Sequence, residues 1–340
     1  MAVTVRQQAR VAAYLLKQRL ARREKFPLVV ELEPLFACNL ACAGCGKIQY
    51  PAQILKQRMP VYRAVAAVEE SGAPVVSIAG GEPLIHPEIH QIAAELVRRK
   101  KFVYLCTNAL LMKKKMHLFE PSPHFAWAVH IDGLRQRHDE SVCEEGVFDK
   151  AVDAIRAAQA AGFRVTTNTT FFTHDSPKTV REVLDFLNDD LKVDGMMISP
   201  AYWYEKAPDQ EHFLQVDQTR KLFREAFAGG RRKRWRLNHP PLFLDFLEGK
   251  VDYACTAWGI PSYSVFGWQR PCYLMADGYC ETYRELVETT DWSKYGRQSG
   301  NPKCANCMAH CGYEPTAVMA TMGSLKESLR AFADTLPVGR

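Results

Sequence analysis

Residues 29–45 read VVELEPLFACNLACAGC, an apolar run followed directly by a loop with three cysteines. The β-branched, apolar character of the first part predicts a β-strand over residues 29–36. Cys38, Cys42 and Cys45 then follow the C-terminal end of that strand. Parallel β/α folds place their chemistry at this end of the sheet. The stretch therefore predicts both a parallel sheet and the location of a cysteine-ligated site.

The alternation of strand and helix continues to about residue 230. Further strands are predicted at VVSIAGG, FVYLCTN, FAWAVHIDG, FRVTTNTTF and GMMISP, with helical patterns between them. The clearest helices are expected over Val61–Ser71, Pro87–Lys100, Phe148–Ala161, Lys178–Leu187 and Arg220–Ala228. This order predicts an α/β fold with a parallel sheet and right-handed crossovers. Six units fit a partial (β/α)6 barrel better than a closed eight-fold barrel, and an open twisted sheet is the alternative.

Four regions are expected along the chain. Residues 1–27 carry a basic amphipathic helix, and residues 28–230 form the partial barrel. Residues 231–330 are rich in Pro, Gly, Trp and Cys, which predicts an irregular C-terminal module, and residues 331–340 are expected to form a loose tail. The first helix has the composition of a membrane-surface anchor, but docking on the barrel with its charges in solvent is an equal alternative.

The composition is that of a globular protein, with 47% hydrophobic and 24% charged residues in a chain of 340. The net charge of +6 is spread along the chain, so we expect no nucleic-acid partner. No signal peptide or long apolar span is evident, which favours a cytoplasmic protein, with peripheral contact to the inner face of the membrane left open. Eleven cysteines, an odd number, favour metal ligation or reactive thiols over a disulfide framework.

Three closely spaced cysteines leave two metal sites open. A zinc ion could be completed by a fourth, distant residue. Alternatively, three thiolates could hold three irons of a [4Fe–4S] cluster and leave the fourth iron open to an exogenous ligand. The spacing Cys-x3-Cys-x2-Cys matches the signature of the radical S-adenosylmethionine (radical SAM) superfamily, and this part of the chain resembles that superfamily in the position of the loop as well.

The resemblance implies a [4Fe–4S] cluster on Cys38, Cys42 and Cys45, with S-adenosylmethionine chelating the fourth iron. One electron, from a reductant such as flavodoxin or ferredoxin, then cleaves the sulfonium and releases a 5′-deoxyadenosyl radical. The turn GGEP resembles the superfamily's contact with the methionine amino group, which assigns cofactor binding to Gly80, Gly81 and Glu82. Residues at predicted strand ends are expected to line the ribose or adenine, although each could be an ordinary cap or turn residue: Asn108, His130, Asn168 and Ser199.

Longer stretches resemble the branch of this superfamily that serves hopanoid biosynthesis: LEPLFACNLACAGCGKIQYP, VVSIAGGEPLIH, KFVYLCTNALL, FGWQRPCYL, ETTDW and CANCMAHCGYE. In that branch the radical adds to the terminal alkene of diploptene (a hopene, a pentacyclic triterpene), and S-adenosylmethionine is consumed as a co-substrate. The resemblance implies a transferase that forms a C–C bond and yields adenosylhopane.

That reaction leaves a tertiary carbon radical, which a thiol could quench by giving up a hydrogen atom. Cys106 is the candidate donor because strand alternation places it on the same face as Asn108. The alternative is a small buried core residue, the usual fate of a free cysteine. A wide apolar pocket is also expected, and aromatic residues after the fifth and sixth strands either line it or pack between domains: Phe171, Phe172, Tyr202, Trp203 and Tyr204.

A second cysteine group lies near the C-terminus. Cys304, Cys307 and Cys311 have ligand-like spacing, and Cys272 or Cys255 could complete a quartet. A second cluster, a zinc site and free thiols all remain open for this group. Two other functions remain open for the chain: a radical SAM enzyme that modifies a peptide or nucleoside with an auxiliary cluster, and a non-catalytic zinc-binding module.

Overall fold

A computed structural model describes residues 3–333. Its strands are β1 (Val29–Glu33), β2 (Val75–Ile78), β3 (Phe102–Thr107), β4 (Phe125–His130), β5 (Arg164–Phe171), β6 (Gly195–Pro200), β7 (Ser262–Ser264), β8 (Gly267–Cys272) and β9 (Met275–Cys280). They belong to one nine-stranded sheet with the order β6-β5-β4-β3-β2-β1-β7-β8-β9. All six strands of the predicted barrel are confirmed.

Helices between the parallel strands cover the outside of the sheet, and further helices precede and follow the strands. The helices are α1 (Val5–Leu20), α2 (Ala52–Leu55), α3 (Val61–Ser71), α4 (Ile89–Arg98), α5 (Met112–Lys115), α6 (Arg135–Val142), α7 (Val147–Ala160), α8 (Pro177–Asp185), α9 (Val216–Ala226), α10 (Pro241–Leu247), α11 (Tyr283–Thr289), α12 (His310–Gly323) and α13 (Leu325–Ala333). Local signals set several ends: α3 stops at Gly72, which adopts φ +73°, and the Ser176 hydroxyl caps α8 by accepting from Thr179 N at 3.1 Å.

Strands β1 to β6 are parallel in sequence order, as a run of β/α units requires. The helices bury their apolar faces against the outer side of the sheet, where the main core includes Val68, Leu96, Trp127 and Ile155. The inner side of the curved sheet is left to line a cavity. The strand register places Cys106 beside Ala128, and His130 beside Asn168, on neighbouring strands.

The C-terminal module is more regular than its composition suggested. Strand β7 pairs in parallel with β1 and extends the sheet beyond the predicted barrel. Strands β8 and β9 continue it as antiparallel neighbours. The three residues of β7 are too few to give a periodic signal, and their partner in β1 is more than 200 residues away in the chain. The expected loose tail of residues 331–340 lies mostly outside the described residues, while 331–333 belong to α13.

Helix α1 docks on the barrel, the second of the two expectations for it. Its Leu15 packs with Phe26 and Leu28, and α12 contributes Val318 and Met319 to the same cluster. None of the described helices is both long enough and apolar enough to cross a bilayer.

Candidate functional site

The cysteine loop follows β1, and its three thiols line one large cavity. Backbone N–H groups hold two of them: Leu40 N donates to Cys38 Sγ at 3.4 Å, and Lys47 N donates to Cys45. Burial, followed by the neighbouring thiols of Cys45 and Cys38, raises the pKa of Cys42. The three sulfurs are therefore close enough to interact electrostatically, and all three line the same cavity.

The arrangement of these thiols suits an iron–sulfur cluster. Three thiols line one cavity, and two of them accept backbone hydrogen bonds. Hydrogen bonds to the sulfurs are typical of protein-bound iron–sulfur clusters, so the loop fits three irons of a [4Fe–4S] cluster.

The GGEP turn packs tightly against the backbone of the cysteine loop. A Cβ at Gly80, which has φ +103°, would lie 2.3 Å from the carbonyl oxygen of Leu35. A Cβ at Gly81 would lie 2.1 Å from that of Ala37. Hydrogen bonds close the contact, from Gly81 N to Leu35 O at 3.0 Å and from Glu82 N to Ala37 O at 2.9 Å. The glycines therefore give the turn its close approach to the loop, which fixes where the cysteines stand.

Glu82 joins the end of β2 to the end of β3. Its carboxylate accepts from Leu84 N at 2.9 Å, from the Thr107 hydroxyl at 2.9 Å and from Asn108 N at 2.8 Å. Burial raises the pKa of Glu82 to about 7. Because a carboxylate offers about four lone-pair sites, three protein donors leave one for a ligand. The contact of Glu82 with the methionine amino group remains a prediction. Its structural role is to bind the end of β3 through Thr107 and Asn108.

All four predicted strand-end residues line the same cavity: Asn108, His130, Asn168 and Ser199. The Asn108 amide donates to Asn39 Oδ1 at 2.8 Å and reaches Cys38 Sγ at 3.8 Å, so it lies beside the cluster loop. The Ser199 hydroxyl instead donates to the carbonyl oxygen of Pro200, its neighbour in the chain, at 3.1 Å.

Asp132 was not among the predicted site residues, although it lies in the quoted segment FAWAVHIDG. Its carboxylate accepts from Thr170 N at 2.8 Å and from the Ser141 hydroxyl at 2.9 Å, and it pairs with His130 Nε2 at 2.9 Å. Burial opposes charge on His130, but the Asp132 carboxylate outweighs it and raises the pKa of His130. The neighbouring His138 Nδ1 accepts a hydrogen bond from Asp132 N at 3.1 Å, which helps to fix the backbone that carries this carboxylate.

Cys106 lies in the cavity, on the inner face of the sheet. Its sulfur is 3.5 Å from the Ser77 hydroxyl, and the Asn168 amide donates to it at 3.4 Å. Burial raises the pKa of the Cys106 thiol to about 11. The side chain therefore stays protonated at neutral pH and faces open space, unlike a thiol packed in the core.

The cavity continues past Cys106 toward α1. Tyr104 donates from its hydroxyl to Gln7 Oε1 at 2.8 Å, which ties β3 to the first helix. Glu31 lines the same wall, and burial followed by the charge of Glu33 raises its pKa to about 8. Gln7, Tyr104 and Glu31 belong to no sequence motif. The one local sequence signal is Glu31, a carboxylate in the middle of an apolar strand.

The aromatic expectation is correct in part. Phe172, Tyr202 and Tyr204 line the cavity. Phe171 does not, because it is fully buried in the main core and packs against Phe223 with ring centroids 6.1 Å apart. Trp203 is also outside the cavity lining, and the Lys303 ammonium lies 5.7 Å from its ring centroid.

A buried ion pair connects the cysteine loop to the C-terminal module. Lys47 Nζ lies 2.6 Å from Glu33 Oε1, and both side chains are almost fully buried. The same ammonium lies 4.3 Å from the ring centroid of Tyr273 and 5.2 Å from that of Phe36. Since Tyr273 follows β8, the ammonium joins the barrel, the loop and the module at one point.

The second group of predicted ligands is also brought together. Cys304 and Cys311 are buried in a small apolar cluster with Ile260 and Leu274, and Cys272 and Cys307 pack against it. Cys255 contacts the same region through Gly312, because a Cβ on that glycine would lie 3.0 Å from its sulfur.

Comparison with known proteins agrees with this geometry. Residues 32–187 match the model of the radical SAM superfamily, and residues 196–331 match a domain of unknown function, DUF3463. GTP 3′,8-cyclase 1 of Mycobacterium tuberculosis is 24% identical over 147 residues, which cover 40% of this chain and 41% of that protein. Fe-coproporphyrin III synthase of Methanosarcina barkeri is 25% identical over 148 residues, 42% of this chain and 36% of that protein. The chain thus spans less than half the length of these curated relatives.

Solved structures share the architecture at low identity. SuiB of Streptococcus suis bound to S-adenosylmethionine superposes with a TM-score of 0.66 at 16% identity, covering 86% of this chain and 75% of that one. The enzyme anSMEcpe with bound AdoMet superposes with a TM-score of 0.58 at 16% identity, covering 90% and 100%. At such identities the likeness establishes the fold.

The fold and the three-thiolate loop define an iron–sulfur enzyme whose chemistry occurs inside a partial barrel. This chain matches the radical SAM superfamily over residues 32–187, a little under half of its length. Its cofactors are accordingly a [4Fe–4S] cluster, which Cys38, Cys42 and Cys45 would hold, and S-adenosylmethionine.

Proposed function

We propose that this enzyme adds a 5′-deoxyadenosyl group to the terminal alkene of a hopene, diploptene, to give adenosylhopane. The observation that carries the proposal is the cavity, which has a volume of about 1730 Å³ and contains the Cys106 thiol. Ligand pockets usually measure roughly 300–1,000 Å³, so this one has room for S-adenosylmethionine and a second bulky molecule. Beyond the cluster loop, much of its wall is apolar, with Leu28, Val29 and Ile260 among its residues.

When bound, the reduced cluster and S-adenosylmethionine supply the 5′-deoxyadenosyl radical. Formation of the bond between C5′ and the terminal alkene carbon leaves a tertiary carbon radical on the substrate. The Cys106 S–H bond breaks and the new C–H bond forms, which leaves a thiyl radical on the cysteine. An electron from the flavodoxin- or ferredoxin-type reductant and a proton restore the thiol. Ser77 and Asn168 hold the sulfur in place during this transfer.

The test is anaerobic turnover of Cys106→Ala with dithionite, S-adenosylmethionine and diploptene. We expect the variant to cleave S-adenosylmethionine while adenosylhopane falls to background, because the adduct radical finds no hydrogen donor. Cys143→Ala is the matched control, since Cys143 is an exposed cysteine outside both cysteine groups. Normal adenosylhopane formation by Cys106→Ala would refute the donor role, and free 5′-deoxyadenosine as the main product of the unmodified enzyme would refute adenosyl transfer.

A hydrocarbon substrate resides in the bilayer, and we infer that it enters the cavity beside α1 and α12. Val5 and Ala12 of α1 line the cavity together with Met322 of α12. Farther along α1, Leu16 and Leu20 are 58% and 76% exposed, and Leu325 of α13 is 79% exposed. Basic residues accompany the α1 leucines, a combination typical of helices that lie on anionic lipid: Arg6, Arg10, Lys17, Arg19, Arg22 and Arg23.

Flotation with anionic liposomes tests this delivery route. The double variant Leu16→Ser/Leu20→Ser should lose lipid binding and turnover of liposome-embedded diploptene, while it keeps cleavage of S-adenosylmethionine. Tyr62→Ser provides the control, because Tyr62 is an equally exposed apolar side chain on α3. Equal flotation of the double variant and the control variant would contradict the route.

A second candidate is modification of a nucleoside or peptide. It is favoured by the relatives, which include GTP 3′,8-cyclases, and by SuiB, which has been solved bound to the precursor peptide SuiA. It is also favoured by Asn238, whose side-chain amide lines the cavity and has no hydrogen-bond partner there. Parallel anaerobic incubations with diploptene, GTP and a peptide library separate the candidates, since mass spectrometry identifies which one acquires or loses mass. The interpretation as a non-catalytic zinc-binding module gains no support from the comparisons, because residues 32–187 match the radical SAM superfamily.

A further inference from the structure

A strip of polar side chains crosses the inner face of the sheet beneath the cluster loop. It consists of Glu31 on β1, Ser77 on β2, Cys106 on β3 and Asn168 on β5, and all four side chains line the cavity. We call these four residues the polar strip. The hydrogen-atom transfer proposed above uses three of them and gives no role to Glu31.

The polar strip is continuous from β1 to β5. The Ser77 hydroxyl lies 3.5 Å from Cys106 Sγ, and the Asn168 amide donates to the same sulfur at 3.4 Å. On its other side, Ser77 is the register partner of Glu31 in the parallel pairing of β1 with β2. Register partners on neighbouring strands point to the same face, and their backbones are about 4.8 Å apart. The Ser77 hydroxyl therefore stands between the Glu31 carboxyl and the Cys106 sulfur.

Glu31 is the member of the strip that can supply a proton. Glu33 lies two residues farther along β1 and is already ion-paired, with Lys47 Nζ 2.6 Å from its Oε1. Glu31 stands beside this occupied pair and faces the cavity. Burial, followed by the charge of Glu33, raises the pKa of Glu31 to about 8. At pH 7 its side chain is therefore mostly a neutral carboxylic acid, which can donate.

We propose that Glu31 is the proton source that regenerates the Cys106 thiol after each turnover, with the Ser77 hydroxyl as the relay. This role rests on the hydrogen-donor function proposed above for Cys106. Once Cys106 has given up its hydrogen atom, one electron from the flavodoxin- or ferredoxin-type reductant converts the thiyl radical to a thiolate. The sulfur takes the Ser77 proton, the Ser77 oxygen takes the Glu31 proton, and Glu31 is left as a carboxylate. Water that enters after product release returns a proton to Glu31.

Proton transfer along this path is downhill and needs no water at the sulfur. Burial raises the pKa of the Cys106 thiol to about 11, above that of Glu31, so the thiolate is the stronger base. A bulky hydrocarbon in the cavity excludes water from the reacting sulfur. A proton donor built into the wall then replaces the solvent.

The test compares the first turnover with later ones, in anaerobic quenched reactions with dithionite, S-adenosylmethionine and diploptene. Glu31→Gln starts with a protonated Cys106, so its first adenosylhopane per chain should form at the normal rate. Later turnovers should slow by about 100-fold, the usual contribution of a positioned acid. Glu314→Gln is the control, because Glu314 is another cavity-lining glutamate, and it should turn over like the unmodified chain.

Variants of Ser77 test the relay. Ser77→Ala should also slow the later turnovers, since the path from Glu31 to the sulfur is interrupted. Ser77→Thr keeps a hydroxyl on the same strand position and should restore them. Normal later turnovers in Ser77→Ala would show that the proton does not pass through this residue.

A pH profile gives a readout that a purely structural role of Glu31 would not change. Glu31 must be neutral to donate, so later turnovers of the unmodified chain should slow as the pH rises through 8, while the first turnover should not. This dependence should be absent in Glu31→Gln. Besides Glu33 and Lys47, the titratable groups facing Glu31 are side chains whose pKa values burial raises above their ordinary values: Cys106, Tyr202, Tyr273 and Cys311.

Three results would overturn the role of Glu31. Later turnovers could proceed normally in Glu31→Gln, or its first turnover could be lost as well. The unmodified chain could also show no slowing through pH 8, a measurement that does not depend on whether a variant folds. Failure of the adenosyl-transfer proposal is seen separately, because Cys106→Ala would then form adenosylhopane normally or the unmodified chain would release free 5′-deoxyadenosine.

Discussion

Replacement of Lys47 by methionine tests how the cysteine loop is held in place. Lys47 is 2% exposed and Glu33 is 0% exposed, and their charged atoms lie 2.6 Å apart. Methionine keeps most of the apolar stem of lysine but removes the ammonium. Among residues 3–333, Glu33 would then retain only a long hydrogen bond, in which the Ser262 hydroxyl donates to it at 3.4 Å. The variant therefore leaves a buried carboxylate without its counter-charge.

The expected cost follows from that orphaned charge. Removing one partner of a buried ion pair typically destabilises a protein by about 3–5 kcal/mol, because the remaining ion is desolvated and unpaired. The ammonium also lies over the Tyr273 and Phe36 rings, which places the loss at the upper part of that range. At roughly 2 °C per kcal/mol for a large domain, the thermal midpoint should fall by about 8–10 °C.

Calorimetry or thermal unfolding followed by circular dichroism measures this change, with three variants compared. Lys47→Met should be strongly destabilised, while Lys47→Met/Glu33→Leu should recover most of the loss because no charge remains buried. Lys178→Met is the control, since its partner Glu182 is 3.6 Å away in an exposed pair worth at most about 1 kcal/mol. If Lys47→Met costs less than the control, or if the double variant is no more stable than the single one, the buried pair does not hold the loop.

Three further predictions concern the site. Gly81→Ala should lower the cluster content several-fold in iron analysis, because a Cβ 2.1 Å from Ala37 O must displace the cysteine loop, and a full iron content would contradict this. Glu31→Gln should raise the thermal midpoint at pH 8.5 and change it little at pH 5. The folded pKa of Glu31 is about 8 against an ordinary 4.5, so its contribution to stability is present below pH 4.5 and lost as the pH rises to 8. Asp132→Ala should destabilise the chain by about 2–4 kcal/mol in denaturant unfolding, since it removes the acceptor for Thr170 N and the partner of His130.

The barrel could be predicted from the sequence because its signals are local. Each strand is an apolar run that alternates with an amphipathic helix, and α3 occupies the predicted range Val61–Ser71. The site could be predicted because parallel strands bring their C-terminal ends to one edge. Cys38 and Asn108, 70 residues apart, thus come within 3.8 Å.

The features that escaped prediction depend on contacts between distant segments. The pairing of β7 with β1 and the contact of Gln7 with Tyr104 leave no periodic trace in either partner. The buried face of α1 could not be predicted from its apolar residues either, because Leu16 and Leu20 are exposed while Gln7 is buried. Gln7 is buried because Tyr104 supplies a hydrogen bond, and that partner lies nearly 100 residues away.

The walls of the cavity indicate where substrate selection resides. The cluster loop, Glu82 and Asn108 belong to the segment shared with the radical SAM superfamily, so they set the radical chemistry. Tyr202, Tyr273 and the α12 residue Val318 belong to the DUF3463 segment, and they line the same cavity. A single continuous sheet and the Lys47 ammonium hold these two segments in register. We therefore propose that the superfamily segment supplies the radical and that the C-terminal module contributes to the choice of its acceptor. Exchange of that module among radical SAM enzymes should then change the substrate without changing the cofactor.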